Sequence, residues 1–249
     1  MKEFNVKKET EACIQWIKDW FENESGGAKG VVLGISGGKD STVVSALLCK
    51  AIGKEKVLGV LMPNGVQKDI NDSKRVCEFL QIDHKVVNIE QAYQGILNCV
   101  ESEDITISAH TKTNIPPRLR MTVLYAIAQE MNYRVGGTGN YSEKYVGYCT
   151  KWGDMAHDFN PIGNFTTEEV IAIGKELGLP IDLVEKPPQD GLSGKTDEDN
   201  MGFTYAAVNR YIETGECENE EIKEKIEKRH QYNLHKMNPI PVYKPATMK

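Results

Sequence analysis

Hydrophobic residues along this chain follow two alternating patterns, which predict strands and helices in turn. Short apolar runs rich in β-branched residues are typical of strands buried on both faces of a parallel sheet. Four such runs lie at residues 30–35, 57–62, 85–89 and 133–135. Between them, apolar residues recur at every third or fourth position, as in amphipathic helices. These helical segments span about residues 7–24, 41–52, 69–80, 90–101 and 117–131.

The alternation predicts an α/β fold, with an open, mostly parallel sheet and helices on both faces. After residue 166 the helical periodicity continues without further strand signals. Additional C-terminal helices are predicted at residues 166–177, 197–212 and 218–232. The stretch 180–196 combines prolines and glycines with polar residues, which predicts a loop.

Composition narrows the class of protein. Hydrophobic residues make up 40% of the chain and charged residues 27%, as in ordinary globular proteins. The 30 basic and 36 acidic residues give a net charge of −6, so the surface as a whole would repel nucleic acid. No apolar run reaches the ~18 residues of a membrane span, and no secretory signal is visible. We therefore expect neither a nucleic-acid partner nor a membrane.

The cysteines point to a reducing compartment. The chain has six, spaced too widely for a Cys-x-x-Cys pair. Several of them lie inside apolar runs, which is typical of buried, reduced thiols. We expect a cytoplasmic protein.

A glycine-rich segment after the first predicted strand is the most informative part of the sequence. It reads Ser36-Gly37-Gly38-Lys39-Asp40-Ser41-Thr42 and begins the next predicted helix. That position directs backbone N–H groups and the positive end of the helix dipole at an anion. Asp40 would repel a phosphate unless a divalent cation bridged the two. The segment therefore predicts a phosphate site with a metal ion.

Two other glycine motifs fail on spacing. The nucleotide P-loop requires glycine at position 33, where this chain has Leu33, and Ser or Thr where it has Asp40. The dinucleotide fingerprint requires its second glycine where Ser36 stands. A tight turn without a ligand would not need two hydroxyls and a carboxylate around a double glycine.

The segment resembles the Ser-Gly-Gly-x-Asp-Ser pyrophosphate loop of the N-type ATP pyrophosphatases. That superfamily has an adenine nucleotide alpha hydrolase-like (Rossmann-like) fold, cleaves ATP between its α and β phosphates and adenylates a carbonyl oxygen. Amide synthetases, GMP synthetase and tRNA-modifying enzymes share the loop. The resemblance therefore implies the superfamily and leaves the substrate open.

A second polar segment follows the last predicted strand. It contains Gly136-Gly137-Thr138-Gly139-Asn140-Tyr141-Ser142-Glu143, then Thr150-Lys151-Trp152-Gly153-Asp154, and then Asp158. Because α/β folds bind ligands at the carboxyl ends of their strands, both segments are expected at one edge of the sheet. Glu143 is then a candidate second ligand for the metal ion at Asp40, although taken alone it reads equally well as a surface carboxylate.

The second segment resembles the NAD synthetase family pattern Gly-Thr-x-x-x-x-Glu, Thr-Lys-Tyr/Trp-Gly-Asp and a later Asp. Residues 62–69 and 114–121 also resemble that family, and the resemblance extends in matching order from about residue 10 to residue 237. It implies an ammonia-dependent ligase that amidates deamido-NAD using ATP and Mg²⁺. It also implies a homodimer, with deamido-NAD bound across the interface.

The resemblance implies roles for individual residues. ATP would contact Ser36, Gly37, Gly38, Lys39, Asp40, Ser41, Gln67, Thr138 and Gln189. Mg²⁺ would be bound by Asp40 and Glu143. Deamido-NAD would contact Arg118, Lys151, Asp158, His235 and Lys236. Asp154 matches the acid that holds ammonium and accepts its proton.

The implied chemistry is coherent. A carboxylate is a poor acyl donor, so the nicotinate carboxylate would first attack the α-phosphorus of ATP and become an acyl-adenylate. Mg²⁺ and the loop amides would stabilise the departing pyrophosphate. Asp154 would take a proton from ammonium, leaving ammonia to attack the adenylate. The products would be NAD, AMP and pyrophosphate.

Two positions depart from the family pattern. The family usually has Lys where this chain has Thr167, and often has Thr or Ser where it has Gln189. We hypothesise that Lys39 supplies the missing positive charge; an unchanged Michaelis constant for ATP in Lys39→Ala would contradict this. The stretch 187–196 is expected to close over the substrate as a lid, with a passive linker as the alternative.

Two alternative functions remain open from the sequence. A tRNA-modifying ATP pyrophosphatase would favour a basic surface and paired cysteines, whereas this chain is acidic. A non-catalytic adenine-nucleotide sensor would not need Asp40, Glu143 and Asp154 together. Because the motifs extend over most of the chain, we expect one synthetase domain over residues 1–249, without a glutaminase domain. Nitrogen would then arrive as free ammonia or from a separate ammonia-supplying protein.

Overall fold

A computed structural model describes residues 4–67, 70–186 and 196–245. Its strands form one parallel sheet in the order β3-β2-β1-β4. The strands are β1 (Gly30–Gly34), β2 (Val57–Leu61), β3 (Asp83–Val86) and β4 (Tyr133–Val135). The chain runs from β1 to β2 and β3 on one side and returns to β4 on the other. The carboxyl ends of β1 and β4 therefore form a topological switch point, where α/β proteins bind ligands.

Helices surround this sheet and continue beyond it. They are α1 (Val6–Asn23), α2 (Lys39–Ile52), α3 (Ile70–Leu80), α4 (Glu90–Glu101), α5 (Ala109–Met131), α6 (Tyr141–Tyr145), α7 (Thr167–Glu176), α8 (Ile181–Val184), α9 (Asp197–Met201), α10 (Tyr205–Thr214) and α11 (Glu220–Met237), with a 3₁₀ turn at Lys54–Lys56. In the described part of the chain, no helix is long and apolar enough to cross a membrane.

Alternate residues of β1 face opposite sides of the sheet, so each face has its own hydrophobic core. Val31 and Leu33 belong to the cluster that includes residues of α1, α2 and α7. Val32 belongs to the other cluster, with Leu124 and Ala128 of α5. Helices thus cover both faces, and the predicted α/β fold class is confirmed.

The C-terminal helices form a third hydrophobic cluster. Its buried members are Val146, Met201, Phe203, Tyr205, Val208 and Ile226. The cluster joins the chain after α6 to α9, α10 and α11. It therefore holds the C-terminal helices against the segment that follows β4.

The start of α5 differs from the prediction at residue 117. Pro116 and Pro117 lie inside the helix, which begins at Ala109 after the N-cap Ser108. The Thr113 hydroxyl and the Asn114 amide both donate to the His110 carbonyl, at 2.8 and 2.9 Å. These side-chain bonds hold the first turns together just before the prolines remove backbone donors.

Two further boundaries differ from prediction. Strand β3 begins at Asp83 rather than at residue 85. All four of its residues are exposed, so its sequence lacks the apolar pattern that predicts a buried strand. The helix predicted over 197–212 is two helices, because Gly202 ends α9 with a φ of +76°. The predicted loop 180–196 contains the short helix α8.

Candidate active site

The loop between β1 and α2 lies at the switch point. Gly38 is the N-cap of α2 and brings no side chain to cap it, so N–H groups of the first turn lack intrahelical acceptors. Ser41 Oγ lies 3.1 Å from Ser36 Oγ and donates to the Gly38 carbonyl at 3.2 Å. Gly37 has a φ of +79°, and a Cβ there would lie 2.8 Å from the Ser73 backbone nitrogen. The predicted phosphate loop is thus fixed by its serines and packed against α3.

Asp40 is held by side chains from two different elements. Its Oδ2 pairs with Lys39 Nζ at 2.8 Å, and Asn140 Nδ2 donates to its Oδ1 at 3.0 Å. The Lys39 side chain is only 3% exposed. Thr167 Oγ1 donates to Asn140 Oδ1 at 3.4 Å. The position that lacks the family's lysine therefore belongs to the same cluster as Lys39.

Glu143 has a structural role in addition to its predicted one. It closes a capping box on α6: Asn140 Oδ1 accepts from Glu143 N at 3.0 Å, and Glu143 Oε2 accepts from Asn140 N at 3.3 Å. Its half-buried side chain lines a cavity. Desolvation and the negative charge of Asp40 raise the pKa of Glu143 to about 8, against the lowering effect of Lys39. The two carboxylates thus repel each other across a poorly solvated space.

Asp40 and Glu143 fit a hard divalent cation that arrives with a phosphate ligand. A bound cation would relieve their repulsion, and Mg²⁺ is commonly held by one or two carboxylates together with phosphate oxygens and water. Among the described residues, no group of three or more His, Cys, Asp or Glu side chains could hold a metal ion.

A cavity of about 460 Å³ connects Glu143 with Asp154. Its size is within the range of small-molecule sites. Asn140, His157, Lys236 and residues 237–240 also line it. The predicted metal ligand and the predicted ammonium-binding acid thus face one space.

Asp154 is suited to accept a proton. Its Oδ1 accepts from Thr150 N at 2.7 Å. Asp154 is exposed to solvent at the cavity, but the protein surrounding it still desolvates the carboxylate and raises its pKa, against the hydrogen bonds from Thr150 and the charge of Lys236. Arg120 lies close enough for Asp154 to oppose the lowering of the Arg120 pKa by burial. A carboxylate with a raised pKa is a better base than an ordinary surface aspartate.

Four of the residues predicted to bind deamido-NAD form a group that we call the C-terminal wall: Arg118, Lys151, His235 and Lys236. Arg118 Nε donates to the Lys151 carbonyl at 3.2 Å, and Lys151 Nζ donates to the His235 carbonyl at 2.6 Å. Lys236 Nζ donates to two carbonyls in the segment 147–149, both at 2.8 Å. The wall joins α5, the segment after α6, and α11.

Asp158 has partners within the protein. Its Oδ2 accepts from Val135 N at 2.7 Å, and its Oδ1 accepts from Tyr125 OH at 3.3 Å. Burial first, and then Asp158, raise the pKa of Tyr125 to about 12. Asp158 therefore anchors the chain at the end of β4.

The remaining predicted ATP contacts divide into two groups. Gln67 and Thr138 are half-buried and lie on the loops that follow β2 and β4, at the carboxyl edge of the sheet. Gln189 lies outside the described residues, as does most of the predicted lid 187–196.

Three residues to which the sequence pattern assigned no role lie at the site. Asn140 holds Asp40, and an Asn three positions before Glu143 is itself a capping-box signal. Asp197 is 7% exposed and acts electrostatically on Lys39. Its position directly after the predicted loop 180–196 carries no sequence signal for a place in the site. The buried Nδ1 of His157 has no hydrogen-bond partner among the described residues, and burial lowers the His157 pKa. A lone histidine carries no sequence signal.

Comparisons with known proteins show the family of this chain. The sequence model of the NAD synthase family matches residues 9–245. The NH(3)-dependent NAD(+) synthetase of Carboxydothermus hydrogenoformans is 40% identical over 220 residues, 85% of this chain and 87% of that protein. The NMN synthetase of Francisella tularensis superposes with a TM-score of 0.89 at 34% identity, covering 97% of this chain and 99% of that one. The NH3-dependent NAD synthetase of Campylobacter jejuni superposes with a TM-score of 0.78 at 29% identity, covering 97% and 100%.

Proposed function

The chain belongs to the NAD synthase family, and from that premise we propose that it is an ammonia-dependent NAD(+) synthetase. It amidates deamido-NAD with ammonia through an acyl-adenylate, using ATP and Mg²⁺ and giving NAD, AMP and pyrophosphate. The family and the class of ligase predicted from the motifs are confirmed by the comparisons.

One observation carries the proposal: a single cavity joins Glu143, beside the phosphate loop, to Asp154. Activation of a carboxylate requires a site for ATP phosphates, and amidation requires a place for ammonium within reach of the activated carbon. Asp154 and Glu143 both line this cavity, and Glu143 interacts electrostatically with Asp40 of the phosphate loop, so the two requirements meet at neighbouring positions. A nucleotide sensor would need only the first.

In the activation half, the loop binds the ATP phosphates. Ser36, Gly37, Gly38, Lys39, Asp40 and Ser41 form this contact. The first-turn N–H groups of α2 offset phosphate charge without rearranging, because the loop is already fixed, and the Lys39 ammonium adds a positive charge beside them. Asp40 and Glu143 would hold Mg²⁺, which would supply positive charge next to the departing pyrophosphate.

In the amidation half, Asp154 binds ammonium at the other end of the cavity and accepts its proton. The ammonia released there has a free electron pair and attacks the acyl carbon, displacing AMP. The raised pKa of Asp154 brings its basicity closer to that of the proton donor.

The nucleotide portions occupy the rest of the carboxyl edge. Gln67, Thr138 and Gln189 contact ATP, and Arg118, Lys151, Asp158, His235 and Lys236 contact deamido-NAD. The protein is a homodimer with one domain per chain. It works in the cytoplasm, where its six free cysteines would remain reduced.

A second candidate substrate is nicotinate mononucleotide. The Francisella NMN synthetase superposes with a TM-score of 0.89, against 0.78 for the Campylobacter NAD synthetase, at similar coverage of this chain. Both substrates present the same nicotinate carboxylate to the same chemistry. They differ in whether an adenylyl group must also be bound.

The test is an assay with ATP, Mg²⁺, ammonium and either deamido-NAD or nicotinate mononucleotide, in which AMP and the amide product are measured together. Equal amounts of AMP and NAD, with a higher kcat/KM for deamido-NAD, support the first proposal. A higher kcat/KM for the mononucleotide assigns the second. Amide formation from neither, with folded protein and no increase over a blank, contradicts both.

A further inference from the structure

Lys39 is a buried cation among carboxylates, and the proposed binding of phosphate alone does not account for that environment. Its Nζ lies 2.8 Å from Asp40 Oδ2. Glu143 and Asp197, which lie on different elements, also act on it electrostatically. One ammonium group that is 3% exposed thus lies against one carboxylate and within the electrostatic reach of two other acids from different parts of the chain.

The balance of charge around Lys39 explains this arrangement. An ammonium group taken out of water needs partners of opposite charge, and Asp40 and Glu143 need a nearby cation for the same reason. In the protein without bound ligands, Lys39 is the cation that these carboxylates need. Asp40 is also one of the two carboxylates that fit the divalent cation, so Lys39 and the metal ion compete for the same oxygen atoms.

We propose that Lys39 takes the place of the divalent cation before substrates bind, and that it exchanges Asp40 for a phosphate oxygen when cation and ATP arrive together. This inference rests on the proposed function, because it assumes that the loop binds ATP phosphates. Lys39 acts here as a positioning residue that makes cation binding depend on the nucleotide.

The position of Lys39 in the loop allows this exchange. It is the first residue of α2, next to the N–H groups that would receive the phosphates. Its long flexible side chain can therefore reach an anion bound at that helix end. A cation binding alone must displace Lys39 from Asp40 and so deprive a buried ammonium of its ion-pair partner at 2.8 Å. With ATP present, the displaced ammonium finds a new anionic partner, and no buried charge is left without one.

The test measures two affinities in ligand-free protein: Mn²⁺ without nucleotide, by electron paramagnetic resonance, and ATP with EDTA present, by calorimetry. In Lys39→Met, Mn²⁺ should bind at least about tenfold more tightly, because a competing charge a few Å away is gone. ATP without metal should bind about tenfold more weakly, because a charged hydrogen bond to phosphate is lost. Lys50→Met, at the exposed end of the same helix, should change neither.

Opposite shifts of the two affinities support the exchange. Unchanged affinities, or two affinities that weaken together, would overturn it, since a merely structural lysine would weaken both. Lys39→Gln provides a second neutral variant if Lys39→Met does not fold. Both measurements are independent of turnover: amidation without opposite shifts refutes only this inference, and opposite shifts without amidation refute only the synthetase.

Discussion

The phosphate loop and the C-terminal wall lie at the same edge of the molecule but are built in different ways. The loop, residues 36–41, is one continuous segment whose serines bond to each other and to its own backbone. The wall is assembled from three distant segments. Its two lysines donate to backbone carbonyls rather than to carboxylates.

This difference indicates different roles for the two regions: the loop serves the reaction, and the wall serves the binding of the nicotinate nucleotide. In the loop, backbone N–H groups lack intrahelical acceptors, and the Asp40 carboxylate is repelled by Glu143 of the neighbouring helix α6, so an anion and a cation are both needed to complete the site. In the wall, Lys151 and Lys236 are already engaged in holding α11 in place. We therefore expect substitutions near the loop to abolish turnover, and substitutions in the wall to change affinity for the nicotinate nucleotide.

The largest expected effect is at the loop end of the cavity. Glu143→Gln should reduce turnover by at least about 1,000-fold, because it removes a charged metal ligand from the activation step. Glutamine preserves the capping box of α6, so the fold should survive. Steady-state production of AMP and amide measures the loss.

Helix α7 offers a matched control for that variant. Glu169 closes an equivalent capping box with Thr166, and the proposal gives it no place in the site. Glu169→Gln should keep nearly full turnover. Equal losses in the two variants would show that Glu143 matters only as a helix cap.

The next largest effect is expected at Asp154, at the opposite end of the cavity. Asp154→Asn keeps an acceptor for Thr150 N but cannot take a proton, so kcat/KM for ammonium should fall about 100-fold. In the wild type, activity should decline as pH falls through the raised pKa of Asp154, because the protonated acid neither attracts ammonium nor accepts its proton. Activity measured against ammonium concentration at several pH values checks both. A normal response to ammonium in the variant would remove Asp154 from the amidation step.

A smaller effect is expected in the wall. Lys236→Met loses two bonds to carbonyls and should raise KM for the nicotinate nucleotide about tenfold, with kcat much less affected. Lys228→Met, exposed on the same helix, is the matched control and should leave KM unchanged. A fall in kcat with KM unchanged would mean that the wall, like the loop, serves turnover and not the binding of the nicotinate nucleotide.

The smallest effect is on stability, and it has a definite sign. Between the ordinary value of 4.5 and about 8, folded protein keeps a proton on Glu143 that unfolded protein releases. The stability contributed by Glu143 is therefore present below the lower value and is lost as pH rises through the upper one. In ligand-free protein with EDTA, the Tm of the wild type should fall relative to Glu143→Gln from about pH 5 to about pH 9. A constant difference in Tm would mean that Glu143 is not in a repulsive environment.

Sequence was most informative where function depends on one continuous segment. The phosphate loop and its place between β1 and α2 followed from glycine spacing and hydrophobic pattern alone. The pairing of Lys39 with Asp40, and the approach of Asn140 and Asp197, depend on packing between distant elements, which a local pattern does not encode. The start of α5 was missed for a related reason: local side-chain bonds there outweigh the usual effect of two prolines.

The central claim is that the nicotinate carboxylate is adenylated in this cavity. The most direct test is a reaction with deamido-NAD, or nicotinate mononucleotide if that is the better substrate, labelled with oxygen-18 in its carboxylate. Attack on the α-phosphorus and later displacement by ammonia must transfer one carboxylate oxygen to AMP, so each AMP formed should carry one labelled oxygen. Unlabelled AMP, or label recovered in inorganic phosphate together with ADP, would contradict the account.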